Sequence, residues 1–299
     1  QWNPNPDHHV IAAAAGKCIV LIIPGTGGED ATVVTEALLE ASKGGQRPPS
    51  AGAPPPVKWE PQLGVSGTEH ASTVGVRVVL RFEGEVNCVA WHSKGDYLAS
   101  VTPRGGKNAV MIHQISKASS QCPFRRSKGE VQCVRFHGSK PFLFVATKQH
   151  VRIYHLIKQV LVKRLLTGCK WVSSMDIHPS GDHLIVGSYD RRVAWFDLDL
   201  SSTPYKTLKY HNKAVQATKF HRHYPLMASA SDDGTVHVFH ATVYSDLLRN
   251  PLVVPLKILR GHEVRVTGGL GVLALAFHPR QPWIFTVGAD GAVRLFQDI

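Results

Sequence analysis

The sequence predicts an all-β fold, a β-propeller assembled from similar four-stranded repeats. Three observations predict it. One pattern recurs five times, apolar residues alternate with period two inside it, and polar turn residues interrupt the chain at about 8–12-residue intervals with no long helical pattern. The five segments read VNCVAWHSKGDYLASV from Val86, VQCVRFHGSKPFLFVA from Val131, VSSMDIHPSGDHLIVG from Val172, VQATKFHRHYPLMASA from Val215 and VLALAFHPRQPWIFTV from Val272. Each places a bulky apolar residue five positions on and a histidine at the sixth: His92, His137, His178, His221 and His278. An apolar residue returns at the twelfth: Leu98, Leu143, Leu184, Met227 and Ile284. These histidines stand 45, 41, 43 and 57 residues apart. Most of the spacings fall near the roughly 40–45 residues of one propeller blade.

A sixth, degenerate unit opens the chain. Trp2-Asn3-Pro4-Asn5-Pro6 comes first, and Trp2 takes the place of Trp91 or Phe136 at the end of an inner strand. Strands at Val10–Ala15 and Cys18–Ile23 follow. Residues 24–73 are expected to be a long Gly/Pro-rich insertion between the third and fourth strands of that repeat. It holds a short helix with Asp30 as N-cap and Val34, Ala37, Leu38 and Ala41 on one face. The tract Ser42–Pro56 has the composition of a linker. The strand resumes at Val74–Phe82.

In the later repeats a polar turn separates the second strand from a third alternating run. Examples are Ser231-Asp232-Asp233-Gly234 before Val236–Phe239, and Ala289-Asp290-Gly291 before Val293–Phe296. Asp-Gly suits such hairpins because glycine accepts positive φ. A smaller insertion at 242–255 explains the 57-residue spacing. The last repeat stops after a third strand, so residues upstream of Gln1 are expected to complete it. Residues 1–299 are thus expected to be one propeller domain, with about six blades readable here.

Lys plus Arg is 34 against 22 for Asp plus Glu, a net charge of +12 with 43% apolar residues. That composition excludes a wholly disordered chain and favours a polyanionic partner. Five scattered cysteines without a C-x-x-C pair fit a reducing compartment rather than a disulfide framework or zinc ribbon. The longest apolar stretch, Val10–Ile23, is too short to span a bilayer. Together with the lack of a signal-peptide pattern, this gives the expectation of a soluble intracellular protein without a membrane partner.

Candidate chemistry is sparse. The loop Pro24–Asp30 follows an apolar strand in the manner of a phosphate-binding loop. Asp30 replaces its third glycine, however, and Glu29 stands beside it, so a permissive turn is the better reading. The five repeated histidines are expected to cap turns rather than to ligate metal. His211 and the pair Gly261-His262 match Asp233 and Asp290 as members of buried hydrogen-bond networks, which must be satisfied to be tolerated. His8-His9 is expected to lie in a turn. No catalytic motif is present, and neither cofactor nor metal is expected.

The charge itself is local. From Arg104 to Lys170 there are 14 basic residues and a single acidic one, Glu130, so this stretch carries +13. Arg104, Lys107, Lys117, Arg125, Arg126, Lys128, Lys140, Lys148, Lys163, Arg164 and Lys170 form the candidate surface for RNA or an acidic partner. Its aromatics, Phe124, Phe136, Phe142, Phe144 and Tyr154, fall mostly on inward strand positions. Backbone and shape recognition of folded RNA is therefore expected, rather than base stacking.

The repeats resemble WD40-type repeats, with Trp195-Phe196-Asp197 nearest to their Trp-Asp ending. Longer stretches resemble the block-of-proliferation (Erb-type) ribosome biogenesis factors. They are Trp2–Pro6, Phe82-Glu83-Gly84-Glu85-Val86-Asn87, Asp176–Asp182, Gly187-Ser188-Tyr189-Asp190-Arg191-Arg192, Ala228–Thr235 and Phe277-His278-Pro279. The resemblance implies a WD40-type propeller of seven blades in the intact protein, at the C-terminus of a longer chain, and a non-catalytic nucleolar and nucleoplasmic scaffold for maturation of 5.8S and large-subunit ribosomal RNA. It implies as partners pre-ribosomal RNA, a second WD-repeat protein with a ubiquitin-like domain, and a pescadillo-type BRCT protein bound mainly by the region before the propeller. Two alternatives stand beside it: a generic propeller adaptor, such as a ubiquitin-ligase substrate receptor, and a nucleotide binder or enzyme built on Gly25–Gly28.

Overall fold

The structure, a computed structural model, describes residues 1–24, 35, 37–39, 56–61, 75–124, 129–244, 251–264, 268–297 and 299. Among them, 23 strands form six sheets, five of four strands and one of three. The fold is all-β, as the alternation predicts. No helix among the described residues is long and apolar enough to cross a membrane. The chain divides into two compact units, Gln1–Val145 with Tyr154–Val160, and Ala146–Ile153 with Leu161–Ile299.

The first sheet holds β1 (Ile11–Ala15), β2 (Cys18–Ile23), β3 (Val57–Pro61) and β4 (Gly75–Phe82), in the order β1-β2-β4-β3. Trp2 makes an isolated β-bridge to Ile11, in the position that Trp91 takes when it pairs with Leu98 in the second sheet. The second sheet runs β5 (Cys88–Trp91), β6 (Tyr97–Val101), β7 (Val110–Gln114) and β8 (Ser119–Gln121). The opening motif clamps the first turn of that sheet. Buried Asn3 donates its Nδ2 to the Gly95 carbonyl at 2.9 Å, and the Gln1 carbonyl accepts from Trp91 Nε1 at 3.1 Å. Gly95 has φ +80°, and a Cβ there would stand 2.4 Å from Asn3 Oδ1, so only glycine fits.

Two features of the 24–73 segment differ from expectation. Within it β3 adds an outer strand, burying Val57 and Trp59 on alternate positions. The helix, described at Thr35 and Ala37–Leu39, turns Thr35 and Leu39 inward, packs Leu38 against the core as expected and leaves Ala37 exposed. Thr35 Oγ1 accepts the His9 N–H at 2.9 Å, while Leu39 joins the core of Val10, Ile19, Leu21, Ile23 and Leu80, and these contacts select the buried face. Asp30, Val34, Ala41, Gly25–Gly28 and residues 42–55 lie outside the described residues.

The third sheet holds β9 (Val131–Phe136), β10 (Phe142–Thr147), β11 (His150–His155) and β12 (Val160–Leu166). The fourth holds β13 (Val172–Ile177), β14 (His183–Ser188), β15 (Val193–Asp197) and β16 (Lys206–Leu208). In the fifth are β17 (Val215–Phe220), β18 (Leu226–Ser231), β19 (Thr235–Thr242) and β20 (Leu252–Arg260). β21 (Val272–Phe277), β22 (Ile284–Gly288) and β23 (Val293–Phe296) make the three-stranded sixth. The inner strands of the last three sheets share a bulge at their start, between Val172 and Ser174, Val215 and Ala217, and Val272 and Ala274. Second strands β14 and β18 are buried along their whole length. In the first sheet β2 and β3 are both antiparallel to β4; in the second to fifth sheets consecutive strands reverse direction, so the turn between second and third strands lies at the end from which the chain leaves for the next sheet. The turns between first and second, and third and fourth strands, lie at the other end.

Candidate functional site

Each repeated histidine caps its own turn. Nδ1 accepts backbone N–H groups two or three residues on: Lys94 for His92 at 3.2 Å, Ser139 and Lys140 for His137 at 3.1 and 2.9 Å, and Ser180 for His178 at 3.2 Å. His221 serves His223 and Tyr224 at 3.0 Å each, and His278 serves Arg280 and Gln281 at 3.2 and 2.9 Å. The backbone N–H of every one of these histidines donates to the carbonyl five residues later, closing the hairpin. Three of the rings also meet the phenylalanine of a later inner strand edge-on: His92 with Phe136, His178 with Phe220 and His221 with Phe277, at 5.1–5.2 Å. An Nδ1 acceptor must be unprotonated. Burial, aided by His183, lowers His178 to about 4, and burial with Lys94 lowers His92.

The two expected His–Asp networks form. His211 Nδ1 donates to Asp233 at 3.1 Å and its Nε2 meets Ser229 Oγ at 2.8 Å, while Thr235 Oγ1 donates to Asp233 at 2.6 Å. His262 repeats this with Asp290 at 3.1 Å and Thr286 at 2.7 Å. Burial opposes ionisation of both carboxyls. The hydrogen bonds overcome it, from His211, Thr235 and the Asn212 N–H for Asp233, and from the Ala292 N–H, His262 and the Glu263 N–H for Asp290. Asp233 is held well below the usual carboxylate range, and Asp290 is lowered to about 2. A third network escaped the sequence: buried His113 joins Ser100 and Ser120, each at 2.8 Å, and Ser120 accepts from Trp59 Nε1 at 2.8 Å. Burial lowers His113 to about 3.

No group of three His, Cys, Asp or Glu among the described residues is placed to hold a metal.

The basic residues fall at several places. Arg104 and Lys107 are exposed in the turn between β6 and β7, the second–third turn of their sheet. Lys117 and Lys140 are exposed in a third–fourth and a first–second turn, hence at the opposite strand end. Arg125, Arg126 and Lys128 lie outside the described residues. In the second unit Lys148 occupies the β10–β11 turn and Lys170 the connection into β13, both at the second–third end. Lys163 and Arg164 lie on outer strand β12, where Lys163 Nζ donates to the Leu198 carbonyl and Arg164 Nη2 meets His150 Nε2 at 2.6 Å.

Lys148 adds something the sequence did not signal. Its ammonium lies over the Trp171 ring, 4.1 Å from the centroid, and Trp171 stands edge-to-face with Tyr189 at 5.8 Å. Both rings are 42% exposed. Tyr189 begins the turn that carries Asp190, Arg191 and Arg192. Arg192 pairs with Asp190 at 3.4 Å, and Arg191, at φ +69°, donates to the Asn212 carbonyl at 3.4 Å. The next residue, Lys213, reaches the Gly269 carbonyl at 3.5 Å. Trp171 lies one residue beyond the basic stretch as counted along the chain, and Tyr189 a full hairpin further.

The WD domain, G-beta repeat family matches residues 77–109, 160–197, 202–240 and 253–297. Each match begins at or next to an outer strand and continues into the following sheet, which agrees with the repeat found from the histidines. The chain is 50% identical over 295 residues to ribosome biogenesis protein bop1-A of Xenopus laevis, covering 99% of this chain and 39% of the relative. Ribosome biogenesis protein BOP1 of Mus musculus is 51% identical over the same length and coverage, and BOP1 of Homo sapiens is 48% identical, with 38% of it covered. The chain thus spans about two fifths of the length of these relatives. The resemblance carried by Trp2–Pro6 and Gly187–Arg192 is borne out.

Proposed function

Since this chain belongs to the WD domain, G-beta repeat family, we propose that it is a non-catalytic scaffold in biogenesis of the large ribosomal subunit. The observation that carries the proposal is the identity of about one half to the BOP1 ribosome biogenesis proteins over 99% of the chain. The physical arrangement supports a binding role. The five histidine caps hold turns, and the three histidine networks tie turns and strands together, so these polar groups serve a rigid binding platform. The cations at the turns and on β12 provide the means to meet polyanionic RNA. Within this reading, the partners are pre-ribosomal RNA, a second WD-repeat protein with a ubiquitin-like domain and a pescadillo-type BRCT protein, met in the nucleolus and nucleoplasm.

The test is purification of the natural full-length protein from cells, with and without RNase, and identification of what accompanies it. Large-subunit precursor RNA and assembly factors are expected, with the RNA-dependent part lost after RNase. Recovery without any pre-ribosomal component overturns the proposal.

A further inference from the structure

We propose that Trp171 and Tyr189, with Lys148 over the indole, form a stacking site for unpaired bases of single-stranded RNA, flanked by Lys170, Arg191 and Lys213 for its phosphates. This rests on the RNA-binding part of the function proposed above. The rings carry the inference: two large aromatics, each 42% exposed and in contact at 5.8 Å, lie at a strand end where the sheet needs neither for its core. Their surroundings are cationic. Lys170, Arg191 and Lys213 are exposed, and the neighbouring carboxylates are already engaged, Asp190 by Arg192 and Asp233 by His211.

An acidic peptide would use the cations but gives the rings no task. A duplex would meet the cations while its bases stay stacked within the helix. A single strand uses both, because every base offers a π-face and every linkage a phosphate. The Lys148 ammonium over the indole also adds positive potential next to the phosphate path.

The experiment measures binding of the 299-residue chain to a labelled single-stranded oligonucleotide and to its duplex, at about 50 and about 200 mM salt. Replacing both rings, Trp171→Leu with Tyr189→Leu, is expected to weaken single-strand binding about ten-fold or more and to leave duplex binding and the salt slope unchanged. Trp171→Phe with Tyr189 intact should retain most of the affinity. Reversing Lys170, Arg191 and Lys213 to Glu is expected to weaken both ligands and flatten the salt dependence. An unchanged urea midpoint in the ring variant checks that it folds.

Single-strand binding that survives ring removal, or equal losses for single strand and duplex, overturns the stacking site while leaving RNA binding standing. Absence of any RNA binding at low salt overturns both. An Asp/Glu-rich peptide that binds where RNA does not, with the same ring dependence, assigns the surface to protein instead and overturns the proposal.

Discussion

Protonating the Nδ1 of a turn histidine removes the acceptor for one or two backbone N–H groups, and the turn loses its cap. The same holds for His113, whose two ring nitrogens are both bonded to serine hydroxyls in a buried site. Folded-state values of about 4 for His178 and about 3 for His113 lie below the ordinary 6.5. Between those limits the folded chain holds fewer protons than the unfolded one, so stability increases with pH. The contribution is complete above 6.5 and declines as pH falls toward the folded values. Unfolding free energies from urea titrations should therefore drop steadily from about pH 7 to about pH 4.5, by up to ~1.4 kcal/mol per pH unit for a fully buried histidine. His113→Gln, which cannot titrate, should be less stable at neutral pH and show a shallower slope. An identical slope in that variant refutes the role of His113. At this scale the sequence was legible wherever a residue repeated: the five caps, His211 with Asp233, and His262 with Asp290. His113 was not legible, because its partners Ser100, Ser120 and Trp59 come from three strands and share no spacing.

Strands can be read from alternation only when the alternation is long enough. Val215–Phe220 and Leu226–Ser231 announce themselves through a repeated pattern and flanking turns, and both form as expected. β3 has only Val57 and Trp59 as inward residues, follows a Gly/Pro-rich tract and ends in Pro61, so composition hid it. Its contribution is nevertheless large. Trp59 is 8% exposed, packs edge-on to His113 at 6.1 Å and donates its indole N–H to Ser120. Trp59→Ala should cost about 3–5 kcal/mol, as large-to-small changes of buried aromatics do, and should appear as a lower urea midpoint. A loss below about 1 kcal/mol would mean that β3 is only laid against the sheet rather than packed into it. The short helix shows the same limit in another form. Its existence was legible from i, i+3 and i, i+4 spacing, and Thr35, Leu38 and Leu39 share that spacing, but a face that turns a threonine inward to accept the His9 N–H does not show in apolar periodicity.

Over the whole chain the net charge is +12, while residues 104–170 alone hold +13, so the rest sums to nearly zero. The stretch is continuous along the chain but is split in space. Arg104 and Lys107 lie at the second–third end of their sheet, as do Lys148 and Lys170 of theirs, whereas Lys117 and Lys140 lie at the opposite strand end. Two charge-reversed forms separate net charge from placement, because each changes the total by the same amount. Exposed charges separated by more than about 8–10 Å are screened at ordinary ionic strength, so only cations close to the bound phosphates count strongly. Reversing Arg104 and Lys107 to Glu should lower affinity for single-stranded RNA and reduce the log–log salt slope by roughly 0.7 per lost phosphate contact, about 1.4 in all. Reversing Lys117 and Lys140 should leave the slope nearly unchanged, since within their own sheets they lie at the strand end opposite the second–third turn. Equal effects of the two forms would show that RNA responds to total charge alone, and the binding surface would then have to be sought elsewhere than at the second–third turns.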